Sequence, residues 1–261
     1  MKTALSVAGS DSSAGAGIQA DLKTFAAHEV YGLTAITAVT VQNTRGVRGI
    51  QTVRPEMVKD QILCLFEDLP VNAVKIGMVF SSEIIEAIAE ALETMPLPPI
   101  VLDPVMIAKS GSALLQDEAR QSLIDRLFPL ADVVTPNIME AQAICGRSID
   151  SEEAMRRAAE SILTLGPRRA VIKGGHSRSA QAADIFFDGE AFQRYTAERI
   201  DTRNTHGTGC TFSSAIAANL ALGHGYSRAV SLAKTYVTRA LERSLDLGSG
   251  NGPTHHFHAF Y

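Results

Sequence analysis

Residues 71–103, VNAVKIGMVFSSEIIEAIAEALETMPLPPIVLD, contain a strand, a helix and a second strand in succession. The first strand is VNAVKIG (71–77), the second is PIVLD (99–103), and Pro96 ends the helix between them. The helix is indicated by apolar side chains at helical spacing, namely Ile84, Ile85, Ile88, Leu92 and Met95. Because a helical crossover returns the chain in the same direction, this stretch predicts two parallel strands of one sheet.

Strand and helix segments alternate in the same way along almost the whole chain. Further strands are predicted at 4–8, 33–42, 132–136 and 169–174, and further helices after Gly17, near 116–128, from Ile138, over 151–165, after 207 and near 227–245. One segment differs: ADIFFDGEAFQRYTA (183–197) has two strand-like runs around Asp188-Gly189, which is typical of a β-hairpin. With no linker or internal repeat, we predict a single domain over 1–261 of the α/β class, with a mostly parallel sheet and helices on both faces.

Composition limits the possible partners. The chain has 261 residues, of which 46% are apolar and 20% charged, with a formal net charge of −4 and no basic block. A broad cationic surface for nucleic acid is therefore not expected. No apolar run approaches the length of a membrane span, so no membrane association is expected. Cys64, Cys145 and Cys210 are far apart and form no C-x-x-C pattern, which indicates reduced thiols and a cytoplasmic protein.

Polar and glycine residues follow almost every predicted strand. The loops include QNTRG (42–46), DPV (103–105), TPNIMEA (135–141), KGGH (173–176) and NTHGTGC (204–210). The carboxyl ends of parallel strands meet at one edge of the sheet, and ligands of such sheets bind there. Any single polar loop is unremarkable, but this many in succession predict a functional site at that edge.

Two common nucleotide-binding motifs are excluded. GAGIQA (15–20) superficially fits the dinucleotide fingerprint, but Gly15 comes late after its strand, and the next strand ends in Gln42 and Asn43 instead of an acidic residue. No G-x-x-x-x-G-K-[ST] sequence occurs, which excludes a P-loop. A phosphate group must therefore be held by a different glycine turn.

The candidate turn is Gly207–Cys210, where an apolar helix begins. Gly207 and Gly209 are expected to allow positive φ and to leave the free N–H groups of the helix N-terminus open to an anion. The field at a helix N-terminus also lowers the pKa of a thiol, so Cys210 is a candidate thiolate. The alternative is that Cys210 is a buried apolar residue, as most isolated cysteines are.

Oxygen ligands and a lysine lie near the same predicted edge. Asp103, Asn137 and Glu140 carry oxygen atoms of the kind that Mg²⁺ prefers. Lys173, followed by two glycines, is placed to reach a phosphate. Structural alternatives are a turn cap for Asp103, a first-turn helix position for Glu140 and a surface lysine for Lys173. Taken together, these residues resemble a magnesium–triphosphate site.

The histidines of THHFHAFY (254–261) lie outside any periodic element and lack a helical metal-binding spacing. We expect this C-terminal tail to pack against the domain or to contact a second copy, with its histidines not binding a metal.

Seven ordered motifs resemble those of the hydroxymethylpyrimidine and phosphomethylpyrimidine kinases of thiamine biosynthesis. They are AGSDSSAGAGIQADLKTF (8–25), AVTVQNT (38–44), VKIGM (74–78), VLDPVMIAKSG (101–111), VTPNIMEA (134–141), VIKGGH (171–176) and NTHGTGCTFSSAIAANLALG (204–223). The resemblance implies a ribokinase-like fold, which is a three-layer α/β/α sandwich. It also implies two successive ATP-dependent phosphorylations of a small pyrimidine alcohol, with Mg²⁺, by a homodimer.

The resemblance further implies roles for individual residues. Gln42 would bind the pyrimidine, because an amide can both donate to and accept from its amino and ring-nitrogen edge. The remaining assignments fall into four groups. The pyrimidine pocket would also be lined by Gly9, Asp21, Met78 and Val105; catalysis would involve Cys210, Lys173, Gly207 and Gly209; nucleotide would be bound by Asn137, Lys173 and Thr208; magnesium would be held by Asp103 and Glu140.

The sequence departs from related patterns at two positions. Ala14 stands where this family usually has glycine. Cys210 stands where sugar kinases of the same fold have an aspartate base, although cysteine is normal in this subfamily. The base of the first phosphorylation is therefore open, with a Cys210 thiolate as the candidate.

Two other functions fit part of the pattern. A pyridoxal or pyridoxine kinase of the same fold acts on a similar hydroxymethyl group, and QNT (42–44) favours the pyrimidine over it. A non-catalytic nucleotide-binding regulator is the third possibility, against which the intact Asp103, Lys173 and glycine turn argue. A mobile flap over the pocket is expected near TRGVRG (44–49), with the hairpin at 183–197 as a second candidate.

Overall fold

The computed structural model describes residues 1–107, 111–175 and 181–260. Residues 108–110 of the VLDPVMIAKSG motif, His176 of the VIKGGH motif and the last residue of the tail, Tyr261, lie outside the described residues.

Nine strands and eight α-helices form the described part of the chain. The strands are β1 (Thr3–Asp11), β2 (Tyr31–Asn43), β3 (Gly46–Thr52), β4 (Val74–Ile76), β5 (Ile100–Leu102), β6 (Val133–Val134), β7 (Ala170–Lys173), β8 (Gln181–Phe187) and β9 (Phe192–Glu198). The helices are α1 (Gly17–Ala27), α2 (Pro55–Asp68), α3 (Ser82–Glu93), α4 (Ala119–Ser122), α5 (Ile138–Cys145), α6 (Glu152–Leu163), α7 (Thr208–Ala221) and α8 (Tyr226–Glu242).

All nine strands form one sheet in the order β3-β2-β1-β4-β5-β6-β7-β8-β9. The six strands β2, β1, β4, β5, β6 and β7 are parallel to one another, including β4 and β5, which precede and follow α3 in the chain. The predicted hairpin is confirmed as β8 and β9, and Gly189 has the positive φ of 96° that its turn requires. The mostly parallel sheet predicted from the strand–helix alternation is therefore confirmed.

Helices cover both faces of this sheet, because alternate strand residues point to opposite sides. In β5, Ile100 and Leu102 join the core beneath α2 to α6, whereas Val101 joins the core beneath α1, α7 and α8. In β7, Val171 joins the core beneath α1, α7 and α8, whereas Ala170 and Ile172 join the core beneath α2 to α6. The predicted three-layer α/β/α sandwich is confirmed.

The chain from 46 to 68 was not predicted. It forms β3, which pairs antiparallel to β2 at the edge of the sheet, and α2. The TRGVRG segment (44–49) is thus the turn and first part of a second hairpin. Its turn is held by the C-terminal region: Asn251 N donates to Thr44 O at 2.8 Å, and Arg45 Nε donates to Ser249 Oγ at 2.7 Å.

Two helix boundaries differ from the prediction. The helix near 116–128 is one short α-helical segment, α4, continued by a π-helical turn (Leu123–Leu127) and a 3₁₀ turn (Phe128–Leu130). Helix α3 ends at Glu93, so Met95 lies beyond it and packs only partly buried against the core.

The predicted packing of the C-terminal tail against the domain is confirmed. The tail packs against the domain: His256 and His258 are each only 4% exposed, and Thr211 Oγ1 lies 3.1 Å from His256 Nε2. Among the described residues, no helix is both long and apolar enough to cross a membrane.

Candidate active site

The predicted convergence of strand ends occurs at β5, β6 and β7. Asp103 follows β5, Asn137 follows β6, and Lys173 ends β7, where it forms a parallel bridge with Asn137. Lys173 Nζ donates to Asp103 Oδ1 at 2.7 Å, and the two side chains are 14% and 2% exposed. Burial lowers the pKa of Lys173, but the carboxylates of Asp103 and Glu140 outweigh it and hold that pKa above its usual value. The Lys173 side chain is therefore a charged ammonium, and Lys173 is not a surface lysine.

Glu140 and Asn137 form a reciprocal cap at the start of α5. Glu140 Oε2 accepts from Asn137 N at 2.8 Å, and Asn137 Oδ1 accepts from Glu140 N at 3.0 Å. The first-turn role considered for Glu140 is thus confirmed, and its role as a magnesium ligand stays a prediction. Burial raises the pKa of Glu140 to about 7, although the nearby Lys173 ammonium lowers it.

The glycine turn lies directly over this ion pair. Gly207 has φ of 78°, and a Cβ at this position would lie 1.7 Å from the carbonyl oxygen of Gly15, so only glycine fits. The expected positive φ at Gly209 is wrong, because Gly209 lies within α7 in ordinary helical backbone. Its absent side chain has another consequence: a Cβ would lie 3.4 Å from both Asp103 Oδ2 and Lys173 Nζ. Gly209 therefore brings the backbone at the helix N-terminus close to a carboxylate and an ammonium, with no side chain of its own between them.

Thr208 closes the turn at the first position of α7. Its Oγ1 donates to the carbonyl oxygen of Thr205 at 2.7 Å, and its N–H donates to the same oxygen at 3.3 Å. The hydroxyl oxygen keeps its acceptor lone pairs, and contact with a nucleotide stays a prediction.

Cys210 lies between the N-termini of two helices. It is in the first turn of α7, and the N–H of Gly17, at the start of α1, donates to its sulfur. Burial nevertheless raises the pKa of the Cys210 thiol to about 11, against the opposing effect of the Lys75 ammonium. The predicted lowering of this pKa is wrong for the ligand-free site, because desolvation outweighs the helix N-termini there.

A fully buried ion pair lies beneath Cys210 and was not predicted. Lys75 Nζ donates to Asp21 Oδ2 at 2.8 Å and to Oδ1 at 3.0 Å, and both side chains are 0% exposed. Ser6 Oγ and Ser214 Oγ each donate to the same carboxylate at 2.6 Å. Burial lowers the pKa of Lys75, but Asp21 outweighs this and raises it well above its usual value. The predicted lining role of Asp21 is therefore wrong for this structure, since the carboxylate is covered and accepts four hydrogen bonds from three donors within the protein.

The other predicted pocket residues lie at the ends of neighbouring strands. Gly9 is in β1 and Met78 follows β4; they are in contact, because a Cβ on Gly9 would lie 2.9 Å from Met78 Sδ. Val105 is half-buried, two residues beyond Asp103. Gln42, near the end of β2, has its Nε2 3.3 Å from His206 Nε2, and His206 directly precedes the glycine turn. The structure thus joins the predicted substrate side and phosphate side through a histidine that was not predicted.

The part of the chain that the structure describes contains no group of three His, Cys, Asp or Glu side chains arranged to hold a metal ion. The predicted magnesium ligands Asp103 and Glu140 are two carboxylates near the Lys173 ammonium. Carboxylate oxygens are the ligands that Mg²⁺ prefers, and the ion usually keeps several of its waters. The residues present therefore fit such an ion.

Comparison with known proteins places this geometry among small-molecule kinases. The sequence model of the phosphomethylpyrimidine kinase family matches residues 11–255. A hydroxymethylpyrimidine/phosphomethylpyrimidine kinase of Rhizobium meliloti is 52% identical over 261 residues, which are 99% of this chain and 98% of the relative.

Solved structures give the same grouping. The crystal structure of phosphomethylpyrimidine kinase from Clostridium difficile superimposes with a TM-score of 0.83 at 47% identity, covering 92% of this chain and 100% of that one. The pyridoxal kinase of Staphylococcus aureus in complex with AMP-PCP superimposes with a TM-score of 0.92 at 33% identity, covering 100% of this chain and 95% of that one. Its bound ATP analogue shows that this fold accommodates a nucleoside triphosphate.

Proposed function

The chain belongs to the phosphomethylpyrimidine kinase family, and we infer that it is the bifunctional kinase of thiamine biosynthesis. It phosphorylates 4-amino-5-hydroxymethyl-2-methylpyrimidine to the monophosphate, and then phosphorylates the monophosphate to the diphosphate. The observation that supports this function beyond family membership is the proximity of the α7 N-terminus at Gly209, which has no side chain, to the Asp103–Lys173 pair. Free N–H groups and an ammonium are the partners that a transferring phosphoryl group needs.

We propose ATP as the phosphoryl donor, with Lys173, Asn137 and Thr208 on the nucleotide side. Lys173 Nζ lies beside Gly209, and the hydroxyl oxygen of Thr208, the preceding residue, keeps its acceptor lone pairs, which supports this assignment. Magnesium, held by Asp103 and Glu140 through oxygen atoms, would neutralise phosphate charge as it does in other phosphoryl transfers. On the acceptor side, Gly9, Met78 and Val105 would enclose the pyrimidine while the Gln42 amide contacts its amino and ring-nitrogen edge.

The two steps make different demands on Cys210. The first step removes a proton from an alcohol, which Cys210 would accept as a thiolate. A thiol with a pKa of about 11 is protonated at neutral pH, so this role requires substrate binding to lower its pKa. The Lys75 ammonium and the N–H of Gly17 already favour the thiolate and burial outweighs them, so the further lowering would have to come from the bound substrates. The second step attacks with a phosphate oxygen that is already ionised at neutral pH, since its second pKa is about 6, and it needs no base.

Product analysis tests the function directly. The protein is incubated with ATP, magnesium and the pyrimidine alcohol, and the products are weighed by mass spectrometry. We expect two added phosphates, through a detectable monophosphate. The Cys210→Ser variant is expected to slow the first phosphorylation more than the second, and equal slowing of both steps would remove the base assignment while leaving the kinase function intact.

The second candidate function is a pyridoxal kinase, which the high structural similarity to the Staphylococcus aureus enzyme favours. The same assay with pyridoxal separates the two candidates. A protein that adds one phosphate to pyridoxal and none to the pyrimidine alcohol would be a pyridoxal kinase.

We also propose a cytoplasmic homodimer. Val39 and Val41 are 49% and 64% exposed on β2, beside the edge strand β3, and apolar residues grouped on a surface favour an interface. The three cysteines are free thiols, as expected in a reducing compartment. Light scattering on the purified protein measures the oligomeric state.

A further inference from the structure

Asp11, His206 and Gln42 meet between the substrate side and the phosphate side of the site. His206 Nε2 lies 2.7 Å from Asp11 Oδ2 and 3.3 Å from Gln42 Nε2. The His206 and Asp11 side chains are only 12% and 4% exposed. A Cβ on Gly15 would lie 2.3 Å from His206 Cδ2, so glycine at that position leaves room for the ring. Neither His206 nor Asp11 was among the predicted site residues.

The contacts of Asp11 decide which imidazole nitrogen carries the proton. Its carboxylate accepts from the N–H groups of Ser13, Gly15 and Ala16 and from the Ser13 hydroxyl. An acceptor with this many donors is ionised; burial raises the pKa of Asp11, but the hydrogen bonds of His206 and Ser13 outweigh burial and lower it. An ionised Asp11 accepts from His206, so Nε2 of His206 must carry a hydrogen and donate.

A donating His206 Nε2 cannot also accept a hydrogen bond from the Gln42 amide nitrogen. The other end of the same amide has a matching conflict: the Thr40 hydroxyl has one hydrogen, yet it lies 3.0 Å from Ser10 O and 3.1 Å from Gln42 Oε1, and both are acceptors. Rotating the amide by 180° exchanges its oxygen and nitrogen, which have almost the same shape. The Gln42 oxygen then faces the His206 N–H as a second acceptor, which shares that hydrogen with the nearer Asp11 carboxylate. The Gln42 nitrogen donates to Thr40, which donates to Ser10, so no donor faces a donor at His206 and Thr40 has one acceptor for its one hydrogen.

We propose that the Asp11–His206 pair is a positioning device that fixes the orientation of the Gln42 amide and thereby selects the pyrimidine ring. In this orientation, one N–H and one oxygen lone pair of Gln42 remain for a ligand. They match a ring nitrogen next to an amino group, which the pyrimidine alcohol has and pyridoxal lacks. The inference rests on the proposed function, since it assigns Gln42 to the pyrimidine edge.

A double-mutant cycle tests whether His206 acts through Gln42. His206→Leu is expected to lower kcat/KM for the pyrimidine alcohol by roughly 10- to 100-fold, mainly through KM, because an amide left without its partner loses orientation. In the Gln42→Ala background the same substitution is expected to change kcat/KM less than about twofold. His206→Gln, which keeps an N–H donor at similar reach, should recover most of the loss. Preference for the pyrimidine over pyridoxal should fall with His206→Leu and return with His206→Gln.

The control is His224→Leu at an exposed histidine, which should leave both substrates unaffected. If His206→Leu fails to fold by circular dichroism, His206→Asn takes its place in the cycle, since its amide is polar but too short to reach Gln42. The proposal would be overturned if His206→Leu lowered kcat/KM equally in the wild-type and Gln42→Ala backgrounds. It would also be overturned if the preference between the two substrates did not change. A wild-type protein that phosphorylates only pyridoxal would overturn the proposed function instead, and this inference with it.

Discussion

Removing the Lys75 ammonium is expected to destabilise the protein more than any exposed ion pair does. Lys75 and Asp21 are both 0% exposed, and the two N–O distances are 2.8 and 3.0 Å. In the Lys75→Met variant the carboxylate stays buried with only Ser6 and Ser214 as donors. Breaking a buried pair from one side costs about 3–5 kcal/mol, because the remaining charge is uncompensated. For a domain of this size the expected fall in Tm is roughly 10 °C.

The assay is urea denaturation followed by circular dichroism, with Lys59→Met as the matched control. Lys59 forms an ion pair of 2.7 Å with Glu90, but the side chains are 35% and 55% exposed, so the control should lose much less stability than Lys75→Met. The double variant Lys75→Met with Asp21→Leu should recover part of the loss, because it leaves no charge unpaired. Equal losses for Lys75→Met and Lys59→Met, or a double variant that is less stable than Lys75→Met alone, would refute the account of a buried, mutually dependent pair.

Two further predictions concern Glu140 and Ala14. Because the pKa of Glu140 is raised to about 7, the folded protein keeps a proton that the unfolded chain loses near pH 4.5. The free energy of unfolding, measured in EDTA to exclude metal binding, should therefore fall as the pH rises from about 5 to 7. Glu140→Gln should remove this part of the pH dependence. Parallel pH curves for the two proteins would contradict this. Ala14 has φ of 60°, a left-handed conformation that is unfavourable for alanine, so Ala14→Gly should raise the free energy of unfolding by about 1 kcal/mol. The control Ala26→Gly, at an exposed position within α1, should lower it by about the same amount, and a shift of the same sign in both variants would contradict the reasoning.

The sequence was sufficient to predict the fold where burial produces a clear pattern. Helix α3 carries a continuous apolar stripe and lies in the sequence between β4 and β5, which are buried throughout. The sequence therefore showed both the helical spacing of α3 and the parallel arrangement of the two strands. The hairpin of β8 and β9 was indicated by its turn residues. By contrast, β3 contains no fully buried residue and α2 buries only Val58 and Ile62, so neither element has a strong apolar period. The elements that the sequence pattern did not predict are therefore the edge strand β3 and the helix α2 that follows it.

For the site, the sequence predicted which loops meet but not how their charges pair. Asp103 and Lys173 could be placed at one edge because each follows a strand. The contact of Asp11 with His206 spans 195 positions, and no local pattern reports it. The Cys210 thiol illustrates a different limit: its position at a helix N-terminus is visible in the sequence, whereas the desolvation that raises its pKa depends on everything packed around it.

The two lysine–aspartate pairs of the site have the same chemistry but different access, and this difference separates their functions. Lys75 is wholly covered, so no ligand can compete for it, and it acts as a fixed positive charge beneath Cys210. Lys173 is 14% exposed and lies beside Gly209, so in the proposed kinase a phosphate would replace Asp103 as its partner. That exchange would leave the nearly buried Asp103 without a cation unless one arrived with the phosphate. A triphosphate that carries a divalent cation would meet both requirements at once, which supports the proposal of a magnesium nucleotide as the phosphoryl donor.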